Sequence, residues 1–427
     1  MDTTIESRDT SPALAVQEPR FSILALGALY RDVIIKVPTF PAEDAKQSAI
    51  SETSRVGGNI SNTLSVLSQV VVPGTQLLYA TVVGGPEPIW RCVHSFLTFS
   101  PIRPLFISQS TTANNAMAQN NRPLISALEA KGITMLYQIR GGEDTMTPTA
   151  YIFESQGTGS RTIISHQLIA PLKTSEVLSL LFAHFFPKST FLSHAYDDML
   201  SRVYNAQSSF FPSWIHFEGR ECFMAEGVID HFRGRREYKE RPCTISVEFE
   251  TYGRPGLDRL LGLCDVAFVA EGYIKAAIED QKLTSWDGDD KAYMIKVFAG
   301  SLRRVMKRSA IMFVTVGAGG AYIVRFQGAG MEHIPTPDIP TSEIIETTGA
   351  GDTFIGAAIY ALGYKRMDPT RACKIAVYVA SRKCMQVGYD GLGSAENGFA
   401  ALEGNVSEAD IAMSPGVPKV RPTEGLL

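Results

Sequence analysis

Thr347-Thr348-Gly349-Ala350-Gly351-Asp352-Thr353-Phe354 runs directly into the small apolar stretch Ile355–Leu362. This sets a side-chain-poor turn at the start of a helix. Unpaired N–H groups there, aided by the helix dipole, attract an anion. Gly349, Ala350 and Gly351 therefore read as a cradle for a transferring phosphoryl group. Asp352 is the odd member, since an acid in an anion site is unfavourable unless it works. It suits a general base taking the proton from an attacking hydroxyl, although helix capping accounts for an Asp there equally well.

Other chemistries lack their residues. No G-x-x-x-x-G-K-[ST], G-x-S-x-G or H-E-x-x-H occurs. The glycine run from Gly317 has Tyr322 where a dinucleotide fingerprint needs its third glycine. The six cysteines, Cys92, Cys222, Cys243, Cys264, Cys373 and Cys384, form no C-x-x-C pair. That excludes a zinc ribbon and a disulfide scaffold and points to a reducing compartment.

Composition narrows the class further. Lys+Arg is 40 against Asp+Glu 44, a formal net charge of −4, which gives no footing for nucleic acid or an acidic membrane. With 45% apolar and 20% charged residues the chain reads as globular, not fibrous or disordered. The N-terminus is polar and of mixed charge, unlike a signal peptide. The apolar stretch Val177–Phe186 falls far short of the roughly 20 residues of a membrane helix. The expected location is cytoplasmic.

The elements that must position the turn can be read in outline. Residues 1–20 read as a disordered leader and 397–427 as a loose tail. Phe21–Leu29 predicts a buried strand. Ile60, Leu64, Leu67 and Val71 share one helix face behind Gly57-Gly58-Asn59. Leu77–Val83, Trp214–Phe217, Thr244–Phe249, Val266–Val269 and Ile311–Val316 read as sheet strands. Ala150–Phe153 and Thr162–Ser165 read as a hairpin around Gln156–Gly159. Strands alternating with helices predict an α/β fold with a mostly parallel sheet covered on both faces. Residues 85–120 and 177–210 have no settled period. They read either as functional loops or as translated non-coding sequence, and their aperiodic character favours the second.

The sequence resembles the ribokinase/PfkB carbohydrate kinases. Glu346 through Phe354 is similar to that family's signature D-T-x-G-A-G-D-x-F, with Glu346 in place of the first Asp, and Gly57-Gly58-Asn59 is similar to its N-terminal glycine motif. The likeness covers roughly 21–396, apart from the two aperiodic stretches. It is nearest to the ketohexokinase branch through segments such as Gly27–Ile34, Phe40–Asp44, Trp214–Arg220, Ser246-Val247-Glu248 and Gly388–Gly391. The resemblance implies a three-layer sandwich with a small β-sheet lid, built from segments near 33–56 and 145–165. It implies transfer of the ATP γ-phosphoryl to a hydroxyl of a small sugar, a ketohexose such as fructose, with Mg²⁺ bridging the phosphates and Asp352 as base.

Further roles follow from the same likeness. Asp32, Asp44, Gly58, Asn59 and Asn62 would meet the sugar, although Asp32 also suits a turn and both asparagines suit a helix start. Arg161, Thr315, Gly317, Gly320 and Cys384 would meet ATP. Glu218 and Arg220 would line the phosphate channel or simply pair. No protein side chain is expected to ligate the metal; Glu271 stands alone where the family has N-x-x-E, and Ala318-Gly319 replaces the acids common in the branch. A homodimer through the lid is implied. Two alternatives stay open: another kinase of the family, acting on ribose or adenosine, or a non-catalytic sugar- or nucleotide-binding protein on the same fold.

Overall fold

A computed structural model describes residues 21–71, 74–85, 121–141, 145–158, 160–167, 169–185, 211–284, 290–328 and 330–394. The leader, the tail and residues 86–120 and 186–210 lie outside the described residues.

The strands are β1 (Ser22–Leu26), β2 (Tyr30–Val37), β3 (Ser51–Gly57), β4 (Gln76–Gly84), β5 (Ile133–Arg140), β6 (Thr149–Ser155), β7 (Arg161–His166), β8 (Trp214–Phe217), β9 (Thr244–Phe249), β10 (Val266–Ala270), β11 (Ile311–Thr315), β12 (Ala321–Arg325) and β13 (Met331–Ile334). The helices are α1 (Asn59–Leu67), α2 (Arg122–Glu129), α3 (Thr174–Phe185), α4 (Cys222–Gly234), α5 (Arg236–Glu240), α6 (Leu257–Leu263), α7 (Glu271–Asp280), α8 (Lys291–Ser301), α9 (Ala350–Ile359) and α10 (Pro369–Cys384).

Nine strands form the main sheet in the order β13-β12-β11-β10-β9-β8-β1-β4-β5. From β11 to β5 every pairing is parallel, and β12 and β13 add antiparallel at one edge. Alternating residues of one strand feed two cores. On β1, Leu24 and Leu26 join one cluster with Val177 of α3, Val228 of α4 and Ile274 of α7. Ile23 and Ala25 join the other with Leu64 of α1, Leu128 of α2, Phe354 of α9 and Ile375 of α10. This is the expected three-layer α/β sandwich; burial on both faces explains why its strands read as continuous apolar runs. The strand order reverses direction about β1, and ligands of open α/β sheets bind at the carboxyl ends beside such a reversal.

A second sheet, β3-β2-β6-β7, has only a small buried core of Tyr30, Ala150 and Ile152. It contains the segments expected for the lid.

Two sequence readings need correction. Residues 177–185, assigned to an unmatched stretch, belong to α3, with Val177, Leu178 and Leu181 buried against the sheet. Further apolar residues around that helix, such as Leu180, hide its period. Ala350 and Gly351 are the first turn of α9 rather than a loop ahead of it.

Candidate active site

α1 is buried along nearly its whole length, as a helix wedged between the sheet and α9 must be. Gly58 ahead of it has φ +98, and a Cβ there would meet the Ala28 carbonyl at 2.3 Å, so only glycine fits. α9 crosses α1 closely: the Thr63 hydroxyl donates to the Asp352 carbonyl at 3.2 Å, and a Cβ at Gly356 would stand 2.9 Å from the Thr63 carbonyl. The crossing sets Asn62 against Asp352. The Asn62 amide donates to the Asp352 carboxylate at 2.7 Å.

Gly349, in the left-handed region at φ +78, turns the chain into α9. The Ala350 N–H is spent on the Thr347 carbonyl at 3.2 Å and the Thr353 N–H on the Gly349 carbonyl at 2.9 Å. The N–H groups of Gly349, Gly351 and Asp352 have no acceptor among the described residues. The free donors thus differ by one from those expected of an anion cradle: among the described residues the Asp352 N–H is free and that of Ala350 is not. Desolvation of the Asp352 carboxyl, reinforced by the charge of Glu248, pushes its pKa well above the usual carboxylate range, against the Asn62 hydrogen bond. A raised pKa is what a base operating near neutrality needs.

Asn59 is held by a buried relay that the sequence reading missed. The Trp214 indole N–H donates to Ser246 Oγ at 2.7 Å, and Ser246 Oγ lies 2.8 Å from His216 Nδ1. His216 Nε2 meets Glu248 Oε1 at 3.0 Å, and the Asn59 amide donates to Glu248 Oε2 at 2.8 Å. The indole can only donate, so Ser246 Oγ accepts from it, and the tautomer of His216 sets the direction of the two bonds that follow. Burial drives His216 down to about 3, so the imidazole is neutral at physiological pH; burial and the Glu218 charge push Glu248 up. Polar residues at alternate positions of β8 and β9 were the available signal. Which of them meet depends on the register His216↔Ser246.

Asp32 lies inside β2, not in a turn, opposite Arg55 of β3. A Cβ on Gly57 would come within 1.9 Å of its carboxylate, which explains glycine there. Burial pushes the Asp32 carboxyl from 3.8 up to about 6, against the pull of Arg55. The folded chain then binds the Asp32 proton more tightly than the unfolded chain. Its stabilising contribution is full below the unfolded pKa and is lost as pH rises through about 6. A shift of that size is worth roughly 3 kcal/mol. Asp32→Asn should accordingly unfold at higher urea than wild type at pH 7, by roughly 2–3 kcal/mol, with the gap closing near pH 4. Equal stability of the two proteins at pH 7 would contradict the buried placement.

Other candidates fall in different places. Arg161 on β7 reaches the turn from the second sheet, donating to Thr347 Oγ1 at 3.1 Å and Thr348 Oγ1 at 2.9 Å. Glu218 accepts from the Ala28 N–H at 2.6 Å and pairs with Arg220, whose guanidinium lies over the Tyr30 ring. Thr315 ends β11, and Gly317 and Gly320 bound the turn that follows; its Ala318 and Gly319 carbonyls are bonded by Thr336 and His333. Cys384 ends α10, and its carbonyl accepts from Ile345 and Glu346 as the chain enters the glycine turn. Asp44 is exposed in a turn at φ 60, with no contact to these groups among the described residues. Glu271 is occupied by Lys275 and Lys291, both at 2.9 Å.

A second structure missed in the sequence braces the turn. Glu346 bridges Arg55 of β3 and Lys383 of α10, each at 2.7 Å, and accepts from the Gly388 N–H at 3.0 Å. Lys383 is completely buried. Burial raises the Glu346 carboxyl, but its bonds to Arg55 and Lys383 outweigh this and hold it below the usual range. Among the described residues, no group of three His, Cys, Asp or Glu could hold a metal, and no helix is long and apolar enough to cross a membrane.

Comparisons with known proteins agree with this geometry. Residues 252–391 match the model of the pfkB family of carbohydrate kinases. Ketohexokinase of Mus musculus is 22% identical over 372 residues, spanning 87% of this chain and 98% of the mouse protein. Solved structures with the same fold include ribokinase of Giardia lamblia, at 16% identity and TM-score 0.59 over 87% of this chain and 94% of that one. Adenosine kinase of Schistosoma mansoni in complex with 2-fluoroadenosine gives 13% identity and TM-score 0.58 over 86% and 96%. Ribokinase of Cryptococcus neoformans in complex with ADP gives 15% and 0.56 over 86% and 94%. The signature at the start of α9, the glycine motif before α1 and the sandwich that joins them make the chain similar to the ribokinase/PfkB carbohydrate kinases in fold and motif.

Proposed function

We propose that this chain transfers the γ-phosphoryl group of ATP to a hydroxyl of a ketohexose such as fructose. The observation that carries the reading is the Asn62–Asp352 bond of 2.7 Å, beside the unpaired amides of Gly349 and Gly351. Asp352 accepts the hydroxyl proton, and the amides stabilise charge on the transferring group. Asp32, Gly58, Asn59 and Asn62 bind the sugar. Arg161, Thr315, Gly317, Gly320 and Cys384 hold the nucleotide. Mg²⁺ arrives with the phosphates.

The lid keeps water from the phosphoryl group. Tyr151 and Ile164, directly paired across β6 and β7, are both exposed, which supports pairing of two lids in a homodimer. The reading is cytoplasmic, in line with the free described cysteines. A second reading, phosphorylation of ribose or a nucleoside, is favoured by the ribokinase and adenosine kinase folds among the neighbours.

The test is ADP release from MgATP over a panel of fructose, ribose, adenosine and glucose, with sedimentation of the same sample to count chains. Fructose should turn over fastest, from a particle of two chains. Preference for ribose or adenosine would replace the sugar, and silence from a folded protein would favour a binding role.

A further inference from the structure

Tyr389 is 8% exposed, and its hydroxyl has no hydrogen-bond partner among the described residues. Buried hydroxyls seldom stay unpaired, and those that do call for an explanation. The residue is not loosely placed. Its carbonyl accepts from Gln69 Nε2 at 2.7 Å, and the Lys383 ammonium lies 5.5 Å from its ring centre. The preceding residue, Gly388, donates to Glu346. This bracing aims the hydroxyl at Gly349, where a Cβ would come within 1.9 Å of the phenol oxygen. The hydroxyl therefore ends on the same turn whose Gly349, Gly351 and Asp352 N–H groups also lack acceptors among the described residues. Burial and the Asp352 charge keep the phenol protonated, so that it can donate.

We propose that the Tyr389 hydroxyl donates a hydrogen bond to a non-bridging oxygen of the transferring phosphoryl group, completing the cradle at Gly349. The inference rests on the kinase reading above. In the step, the bond from the sugar oxygen to phosphorus forms. The bond from phosphorus to the ADP oxygen breaks, its electron pair leaving on ADP, and the hydroxyl proton passes to Asp352. Tyr389 keeps its own proton throughout.

Tyr389→Phe tests this without changing the packing. Loss of one donor to a transition-state oxygen should lower kcat by about 10-fold to 10²-fold, with KM for the sugar unchanged. The melting temperature should hold or rise, because an unpaired buried hydroxyl is removed. ADP with aluminium fluoride, Mg²⁺ and fructose, a mimic of the transferring state, should bind the variant more weakly, while ADP alone binds equally. Unchanged kcat, an effect on KM alone, or a loss of activity matched by loss of folded protein would each overturn the proposal. A wild type that turns over no sugar would sink the kinase reading instead. The fluoroaluminate comparison would still judge Tyr389, and equal binding by the two proteins would overturn its role.

Discussion

Asp352→Asn is expected to lower kcat by about 10²-fold to 10⁴-fold, the range for loss of a general base. Binding of sugar and of ADP should change little. The substitution keeps an oxygen for the Asn62 amide, which now bonds the carboxylate at 2.7 Å. It also removes a carboxyl that desolvation and the Glu248 charge already hold towards its neutral form. The variant should therefore melt no lower than wild type. That combination separates catalysis from capping. A helix-capping role predicts the reverse pattern: lost stability, typically about 1 kcal/mol, with turnover largely kept. In wild type, kcat/KM should fall on the acid side as Asp352 takes up its proton, and Asn at this position should flatten that limb.

Lys383→Met is expected to be among the most destabilising single changes in the chain. Lys383 is completely buried, and its ammonium meets Glu346 at 2.7 Å. Lysine is almost never fully buried unless paired. Here it also lies at the carboxyl end of α10, where the helix dipole favours a cation. Its removal leaves Glu346 with Arg55 and the Gly388 N–H as partners. Breaking one half of a buried pair costs about 3–5 kcal/mol, and the surviving partners set the lower end for this site. Urea unfolding at pH 7 measures it. Replacing both members, as Lys383→Met with Glu346→Leu, should recover part of the loss, because apolar pairs often substitute well for buried ions. A single variant as stable as wild type would show that the bridge carries no such weight.

The sequence was most legible where burial is two-sided. Val266–Ala270 and Ile311–Thr315 match their apolar runs to within one residue, since both faces of those strands are covered. α3 was illegible for the opposite reason, with further apolar residues surrounding its buried stripe. The motif at Gly349 could be read because local geometry alone makes it. The relay from Trp214 through Glu248 to Asn59 could not, because it spans three elements and depends on strand register. The clamp at Glu346 was likewise hidden. Nothing local says that Arg55 and Lys383 converge on one carboxylate.

Phosphorus NMR of the product made from MgATP and fructose is the most direct measurement of the central claim. A new sugar phosphate monoester resonance should grow in step with ADP and be absent with Asp352→Asn. ADP accompanied only by inorganic phosphate, or a sugar phosphate formed at an unchanged rate by Asp352→Asn, would contradict it.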